Sequence, residues 1–221
     1  MKRSILLAAF CFLSWTGLAA SSDSGRLAIA ARSGTLGLGG DVMVNVLPDV
    51  NVRLGVGFLD LDFDGEVEDV EYDFDLDLLT FPLVVDWYPF ENKFHVSAGV
   101  ILNQTEAALT GRYDGTIEIG DETYTSDEIG ALSGEVSFRD VAPYVGIGWG
   151  NAFGKARRWG FVTDLGVAFT GSPNVALSAT GPLADDPTFL ENLAREEDDI
   201  QDEADKFKIY PVLSANLYFR F

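Results

Sequence analysis

The last fifteen residues of the chain alternate between apolar and polar side chains, and no other feature constrains the fold as strongly. The odd positions from Phe207 to Phe221 are apolar, whereas the even positions from Lys208 to Arg220 are mostly polar. A period of two is that of a β-strand with one apolar and one polar face. The segment is long enough for a tilted membrane crossing, which takes about 9–11 residues. We therefore expect a membrane-spanning strand, with an amphipathic edge strand of a soluble sandwich as the alternative.

Residues 1–20 have the composition of a cleaved secretory signal peptide. A basic start precedes an apolar core, and small residues follow at 17–20. The apolar core is too short for a transmembrane helix of about 20 residues. Cys11 lies in this segment, so residues 21–221, which we expect to form a single domain, contain no cysteine. Disulfide and thiol chemistry are therefore excluded from the mature chain.

The charge and the hydrophobic content of the chain narrow its class. Removal of Lys2 and Arg3 with the signal peptide takes the formal net charge from −20 to −22. This argues against nucleic-acid binding, which depends on basic side chains at phosphates. Although 47% of the residues are hydrophobic, no long apolar run follows residue 20. A β-barrel explains both facts because it disperses its apolar residues by alternation, although a soluble acidic β-sandwich fits the composition alone.

Seven long alternating segments can be identified along the chain. They lie at 36–46, 52–58, 79–87, 94–103, 141–149, 159–169 and 207–221. An eighth strand is expected at 26–32, turning at 33–34, because a barrel with both chain ends on one side of the membrane has an even number of strands. The sequence thus predicts an all-β fold, an eight-stranded antiparallel transmembrane β-barrel.

The connections between these segments alternate in length. Those at 47–50, 87–93 and 151–158 are short, and those at 64–72, 111–134 and 172–206 are long. Bacterial barrels keep short turns in the periplasm, so we expect short periplasmic turns and long acidic extracellular loops. Aromatic residues at or beside the short turns support this orientation, since such residues gather at membrane interfaces. They are Trp87, Tyr88, Phe90, Phe94, Trp149, Phe153, Trp159, Phe219 and Phe221.

The first long connection is an acidic hairpin that we identify as a candidate cation-attracting mouth. Its candidate residues are Asp60, Asp62, Asp64, Asp73, Asp75 and Asp77. If the hairpin extends the barrel wall, the aspartates of each strand share one face and the two rows oppose each other. Like charges directly opposite destabilise a sheet, so such rows require bound cations, water or raised carboxylate pKa values. A solvated acidic loop with no bound ion is the alternative.

The last long connection contains a predicted helix near 187–205. Asp185 or Asp186 can cap this helix, and Pro187 suits its first turn. An apolar stripe is expected at Leu190, Leu193, Ile200 and Ala204. The helix either folds over the barrel mouth as a lid or packs on the neighbouring loops.

Charged residues on the inward positions predict the state of the lumen. The candidate lumen charges are Asp41, Arg53, Asp86, Asp164 and Arg220. An eight-stranded barrel is just wide enough for side chains to fill, and buried charges pair, so these residues indicate a plug. Inward glycines indicate the opposite because they leave volume free, and the sequence leaves both interpretations open.

The sequence gives little support to an enzyme. His95 is the only histidine, and Ser97 merely shares its face of the strand. A histidine that is hydrogen-bonded in the lumen or at the periplasmic rim is favoured over a catalytic base, and no cysteine–histidine cluster offers zinc ligands. We therefore expect no enzymatic activity, no metal site and no cofactor.

Three segments resemble a known family. The stretch 140–149, the segment 169–175 and the acidic helix before Lys206 look like the small eight-stranded outer-membrane barrels typified by the carbapenem-associated, ornithine-uptake channel. The similarity is strongest over 133–221. It implies a monomer in the cell outer membrane with a large extracellular cap, and a role in the passive uptake of small basic amino acids.

Two functional hypotheses follow. The first is a narrow channel for small cationic solutes such as basic amino acids. The second is a closed structural or surface-binding barrel whose acidic loops bind divalent cations or lipopolysaccharide. In both, the expected partners are outer-membrane lipid, lipopolysaccharide and the barrel-assembly machinery, which would recognise the strand ending at Phe221.

Overall fold

The computed structural model describes residues 25–67, 70–90, 92–113, 115–120, 122–154, 157–206 and 208–221, with the side chains of 66–72 and 113 excepted. The expected signal peptide, residues 1–20, lies outside the described residues. The elements in chain order are β1 (Leu27–Gly34), β2 (Gly37–Leu47), β3 (Val50–Val67), β4 (Val70–Trp87), β5 (Phe94–Asn103), β6 (Glu106–Tyr113), β7 (Thr116–Ile119), β8 (Glu122–Thr125), α1 (Ser126–Ile129), β9 (Leu132–Ser137), β10 (Val141–Trp149), β11 (Trp159–Ala168), β12 (Asn174–Ala179), α2 (Pro187–Ala204) and β13 (Tyr210–Arg220).

Eight of these strands form a closed antiparallel barrel. The wall runs β1, β2, β3, β4, β5, β10, β11 and β13, and β13 returns to β1 with Ala28 opposite Arg220. The predicted fold class and strand number are therefore confirmed. The expected first strand is present as β1, but it extends to Gly34 and turns at Thr35–Leu36 rather than at 33–34.

The barrel wall is apolar outside and polar or small inside. In β13, Leu213, Leu217 and Phe219 are exposed at odd positions, whereas Val212, Asn216 and Tyr218 are buried at even positions. The same alternation holds in the other wall strands, so the apolar side chains form an outward band suited to lipid. This is the arrangement of a transmembrane barrel, because a soluble protein would bury its apolar face.

Large aromatic side chains surround the end of the barrel that carries the short turns, which we call the short-turn end. Exposed outward there are Trp87, Phe90, Trp149, Trp159, Phe219 and Phe221. Tyr88 is instead buried, and its hydroxyl donates a hydrogen bond to the carbonyl of Gly150 (3.1 Å). Phe153 packs into the bottom of the lumen. The predicted girdle is thus present in large part, with these two rings turned inward.

At the opposite end, the cap end, the wall continues into a five-stranded extension sheet. It consists of residues 59–67 of β3, 70–77 of β4, and the strands β6, β9 and β12, which pair in that order. The β3–β4 register is unbroken from Val50 opposite Trp87 to Val67 opposite Val70. Much of what was expected to be loop at 64–72, 111–134 and 172–206 is therefore strand. These strands are short and rich in small or polar residues, and β12 pairs with a segment distant in sequence, so alternation alone did not reveal them.

A small cap packs on the inner face of β9 and β12 in the extension sheet. Ile119, Ile129 and Phe189, from the β7–β8 hairpin and both helices, form one buried cluster. The predicted loop helix is α2, and α1 is an additional single turn. Asp186 caps α2 by accepting hydrogen bonds from the N–H groups of residues 188 and 189 (2.9 and 3.0 Å).

The predicted apolar stripe of α2 is only partly right. Leu193 is buried, but Leu190 and Ile200 are exposed, and the other buried positions are Phe189 and Asn192. The face of α2 that packs against β12 and β7 therefore differs in part from the face that sequence periodicity predicted. Within the described residues, neither helix combines the length and apolar character required to cross a membrane.

Candidate functional site

The middle of the lumen contains a buried ion network centred on Arg53. Its Nη1 and Nη2 each donate to one carboxylate oxygen of Asp164 (2.8 Å for both), and Nη2 also donates to Oδ1 of Asp86 (2.9 Å). Nε lies 2.7 Å from Oδ2 of Asp86, as an ion-pair contact outside hydrogen-bond geometry. One guanidinium thus holds two carboxylates from two other strands of the wall.

Asp164 collects further partners from the surrounding strands. His95 is fully buried, and its Nε2 lies 3.0 Å from Oδ1 of Asp164. The hydroxyl of Ser214 and the amide of Asn216 donate to Oδ2 at 2.8 and 3.1 Å. We call Arg53, Asp86, His95 and Asp164 the lumen network. The pairing of the Arg53 guanidinium with both carboxylates is what makes burial of these charges tolerable.

A second buried ion pair lies beside the lumen network. Arg32 donates through Nε to Oδ2 of Asp41 (3.3 Å) and through Nη2 to Oδ1 of the same carboxylate. Of the five candidate lumen charges, four are therefore buried in ion pairs. Arg220 is the exception, because it lies near the end of β13 and donates to the carbonyl of Gly154 (2.9 Å).

Apolar layers close the lumen on both sides of the charged layer. Along β11, the buried side chains Val162, Asp164 and Ala168 belong in turn to the lower apolar cluster, the charged layer and the upper apolar cluster. The upper cluster consists of Leu36, Val84, Ile101, Ala142, Tyr144, Ala168 and Val212. The cavities on its two sides measure about 30 and 50 Å³, which is room for a few water molecules each. Side chains therefore fill this part of the lumen, as expected for a plug.

The lumen network does not have the arrangement of a hydrolase. The hydroxyl of Ser97 donates to Asp86 (2.7 Å) and not to His95, so Ser97 is not aligned with the imidazole as a nucleophile. Asp86, His95 and Asp164 bring three ligand atoms within 4.8 Å of one another, which is a spacing that could hold a metal. Arg53 already contacts both carboxylates, however, and its guanidinium offsets one of their two negative charges.

The candidate mouth residues lie on the outside of the wall. In β3 the outward positions are even, as Leu54 and Phe58 are exposed while Arg53 is buried in the lumen. The unbroken register carries this parity upward, so Asp60, Asp62 and Asp64 project on the same side as the lipid-facing residues. Asp77, Asp75 and Asp73 stand directly opposite them on β4. We call these six aspartates the acid face; they do not line the lumen.

Comparisons with known proteins agree with this architecture. The crystal structure of Acinetobacter baumannii CarO2 superposes with a TM-score of 0.62, at 25% sequence identity over 88% of this chain and 98% of that chain. Acinetobacter baumannii CarO superposes with a TM-score of 0.57, at 24% identity over 89% and 98%. No protein-family model matches the chain, and no curated protein matches its sequence.

The chain has the fold of the CarO outer-membrane β-barrels and is similar to them in sequence. The resemblance noted in the sequence is thereby confirmed. The two crystal structures are matched over nearly their whole length, so the CarO-like barrel and its cap are compared as one unit.

Three environments distinguish the opposed pairs of the acid face in this CarO-like barrel. Asp73 forms an exposed ion pair with Nη1 of Arg112 (2.9 Å). Asp62 shares a hydrogen bond with the opposing carboxylate of Asp75, which raises the pKa of Asp62. Asp77 has a third carboxylate beside it, since Glu106 is its partner on β6. The lowest row is thus the one with three acidic side chains across three neighbouring strands.

A cleft lies at this lowest row, where the extension sheet leaves the wall of the CarO-like barrel. It has a volume of about 1,050 Å³ and is open to solvent. Its lining combines Asp60, Asp77 and Glu106 with Arg139 and the outward side chain of Phe58. Acidic, basic and apolar groups therefore meet directly above the lipid-facing band.

Two members of the charged layer were missed as site residues. Arg32 falls in the strand expected at 26–32, and His95 was expected to form a hydrogen bond in the lumen or at the rim, but neither was identified as an ion-pair partner. The signal available was parity: both lie at inward positions of their strands. Which carboxylate each meets depends on strand neighbours, such as β1 beside β2, which place Arg32 near Asp41.

Proposed function

We propose that this protein is a closed outer-membrane barrel whose acid face binds divalent cations and, through them, the phosphates of lipopolysaccharide. The cap end would then be extracellular and the short-turn end periplasmic. The observation that carries the proposal is the position of Asp60 and Asp77 on the lipid side of the wall, immediately beyond the apolar band.

The height of the apolar band supports this placement. Between Val50 and Phe58, β3 crosses the wall next to β2 before the acid face begins. About nine residues at about 3.3 Å each, tilted by about 40°, rise about 23 Å, which is close to the apolar band of about 25 Å in outer-membrane barrels. Asp60 then lies at the level of the lipid headgroups.

The chemistry of the acid face suits a bridging cation. Carboxylate and phosphate oxygens are the ligands that Ca²⁺ and Mg²⁺ prefer, and Ca²⁺ accepts six to eight of them. Asp60, Asp77 and Glu106 supply carboxylates from three adjacent strands, and a cation between them would relieve the repulsion of the opposed acids. Arg139 in the same cleft offers a guanidinium for direct phosphate contact.

Hydrogen exchange in membranes of defined composition tests the proposal. The refolded protein is placed in liposomes with lipopolysaccharide or with phosphatidylcholine alone, with Ca²⁺ or with a chelator. We expect Ca²⁺ to protect 59–64 and 73–77 from exchange, and lipopolysaccharide to increase that protection. The double variant Asp60→Asn/Asp77→Asn should lose both effects.

The control removes the same charge elsewhere. Asp198→Asn/Asp199→Asn takes two exposed acids from α2 that do not line the cleft, and should leave the Ca²⁺ effect intact. Equal loss in both double variants would show that net charge, rather than the acid face, governs the response. Protection that is indifferent to Ca²⁺ would refute the proposal.

A channel for small cationic solutes is the second candidate, and one observation favours it. Asp86 and Asp164 hold the guanidinium of Arg53, so the same carboxylates could receive the cationic end of a basic amino acid if the lumen opened. Single-channel recordings in planar bilayers separate the candidates. A closed barrel gives no discrete openings. Cation-selective current steps that respond to basic amino acids would overturn the closed-barrel proposal.

The export route belongs to the same proposal. We infer that residues 1–20 are a signal peptide removed during secretion and that the assembly machinery recognises the strand ending at Phe221. The mass of the protein purified from outer membranes tests the first inference, since an intact N-terminus would refute it. Deletion of Phe221 should lower the amount of assembled barrel, and unchanged assembly would refute the second.

A further inference from the structure

The extension sheet has an open edge along β3. Between Val50 and Phe58, β3 pairs with β2 on one side and with β4 on the other. Beyond Phe58 the pairing with β4 continues, but β2 has already turned toward β1. Among the residues that the structure describes, no strand pairs with 59–67 on this side.

The backbone groups along this edge belong to the aspartates of the acid face. The N–H of Tyr88 donates to the carbonyl of Asp49 (2.9 Å), which makes the odd residues of β3 the ones bonded to β4. Because bonding alternates along an antiparallel strand, the N–H and C=O of Asp60, Asp62 and Asp64 point to the open edge. Each of these residues therefore offers one donor and one acceptor to an added strand.

The opposite edge of the same sheet, along β12, is covered by side chains of α2, unlike the β3 edge. In β12 the N–H of Val175 donates to Oε1 of Gln201 (3.0 Å), and the N–H of Leu177 donates to Oε2 of Glu197 (2.9 Å). Gln201 also donates to the carbonyl of Pro173 (2.8 Å). Side chains of α2 thus occupy the groups that another strand would use, as proteins commonly do at exposed edges.

The side chains along the open edge define what would fit. Asp60, Asp62 and Asp64 project on the outer face, while Leu61 and Phe63 project on the inner face and are 37% and 65% exposed. An added strand places its own alternating side chains beside these two rows. We propose that the β3 edge binds an extended peptide in which basic residues alternate with apolar ones, by addition of a strand to the sheet.

A second copy of this chain fits the edge poorly. Antiparallel pairing of two β3 edges would put the aspartates of both copies opposite one another on one face, and like charges in that position are destabilising. A basic amphipathic strand instead meets carboxylates with ammonium or guanidinium groups and covers Leu61 and Phe63. Main-chain hydrogen bonds give such complexes their affinity, and the alternating side chains give specificity.

Peptide binding to the refolded protein tests the inference. A fluorescent peptide that alternates Lys and Val is titrated into the full chain in a zwitterionic detergent with a chelator present. We expect saturable binding, and protection of the amides of Asp60, Asp62 and Asp64 in hydrogen exchange. The matched probe carries N-methyl groups on the residues that face β3, which keeps charge and apolarity but removes the donors.

Protein variants separate backbone pairing from charge attraction. Asp62→Pro removes an edge donor, and proline is tolerated at edge positions whose N–H faces solvent. It should weaken binding by about tenfold more than Asp62→Asn, because one ordinary hydrogen bond is worth about that factor. Asp75→Asn removes an acid from β4 without touching the edge and should match Asp62→Asn.

Two results would overturn the inference. The first is equal binding of the N-methylated and parent peptides to the wild-type protein, which would indicate electrostatic adsorption alone. The second is Asp62→Pro binding no more weakly than Asp62→Asn. If Asp62→Pro does not fold, the two peptides on the wild-type protein decide the matter. Since the chelator removes divalent ions, these outcomes are independent of cation bridging at the acid face.

Discussion

Replacing Arg53 by Met is expected to destabilise the barrel severely while leaving its volume filled. The guanidinium makes three hydrogen bonds of 2.8–2.9 Å to Asp164 and Asp86 and one further ion-pair contact of 2.7 Å. Methionine preserves much of the packing and makes none of these contacts. The two carboxylates would then remain buried without their cation.

The magnitude depends on what the carboxylates retain. Asp164 keeps Ser214, Asn216 and His95, whereas Asp86 keeps the hydroxyl of Ser97. Removing one partner of a buried ion pair costs about 3–5 kcal/mol, because the other charge is left uncompensated. We expect a loss of unfolding free energy in that range. Adding Asp86→Asn should recover part of it, with a coupling energy of about 0.5–3 kcal/mol.

Reversible urea unfolding in lipid vesicles measures the effect, and the chain supplies a matched control. Arg112 pairs with Asp73 at 2.9 Å, but the two side chains are 57% and 40% exposed. Arg112→Met should therefore cost about 1 kcal/mol or less, as exposed ion pairs do. A loss below about 1 kcal/mol for Arg53→Met, or similar losses for both variants, would refute the assignment of Arg53 as the centre of the plug.

Three further predictions concern the acid face, the helix cap and the lumen. The hydrogen bond with Asp75 raises the pKa of Asp62, so the folded hairpin binds this proton more tightly than the unfolded chain does. Exchange protection of 59–64 should therefore increase as the pH falls from neutrality through that pKa. An identical pH profile in Asp62→Asn, after correction for intrinsic exchange rates, would contradict this. Asp186→Ala should cost about 0.5–2 kcal/mol of local stability in α2 by hydrogen exchange, whereas Asp185→Ala should not, and equal effects would count against the cap. Gly148→Ala should cost about 1–3 kcal/mol by urea unfolding, because its methyl group would meet the ring of His95. Gly154→Ala is the control, since among the described residues its methyl group would have no contact closer than 3.5 Å; a neutral Gly148→Ala would refute the packing of His95.

The sequence predicts the barrel well because alternation is a local signal. It predicts the extension sheet poorly, because β6 and β12 contain small and polar residues whose strand character depends on distant partners. The odd or even position of a residue in a strand also gives the face on which its side chain lies, but not its position along the barrel axis. Arg220 was assigned to the lumen, yet it lies near the end of β13 and reaches the carbonyl of Gly154 instead of a carboxylate of the lumen network. The position of a residue along the barrel axis depends on the stagger of neighbouring strands, and sequence periodicity carries no information on that stagger.

The register of β3 between Arg53 and Asp60 determines whether the six aspartates face the lumen or the lipid side, and the two functional hypotheses differ on this point. Arg53 and Asp60 have opposite parity, so an unbroken strand puts one in the lumen and the other on the lipid side. A bulge between them would have reversed this and turned the aspartates toward the lumen, where a cation-attracting mouth needs them. Glycine in a strand often marks such a bulge, and Gly55 and Gly57 lie in this interval. The pairing of Gly57 with Thr80 keeps the register of Val52 with Val85, so there is no bulge and the parity holds. The acid face therefore lies on the outer surface of the barrel, and the proposed cation binding is to be tested there.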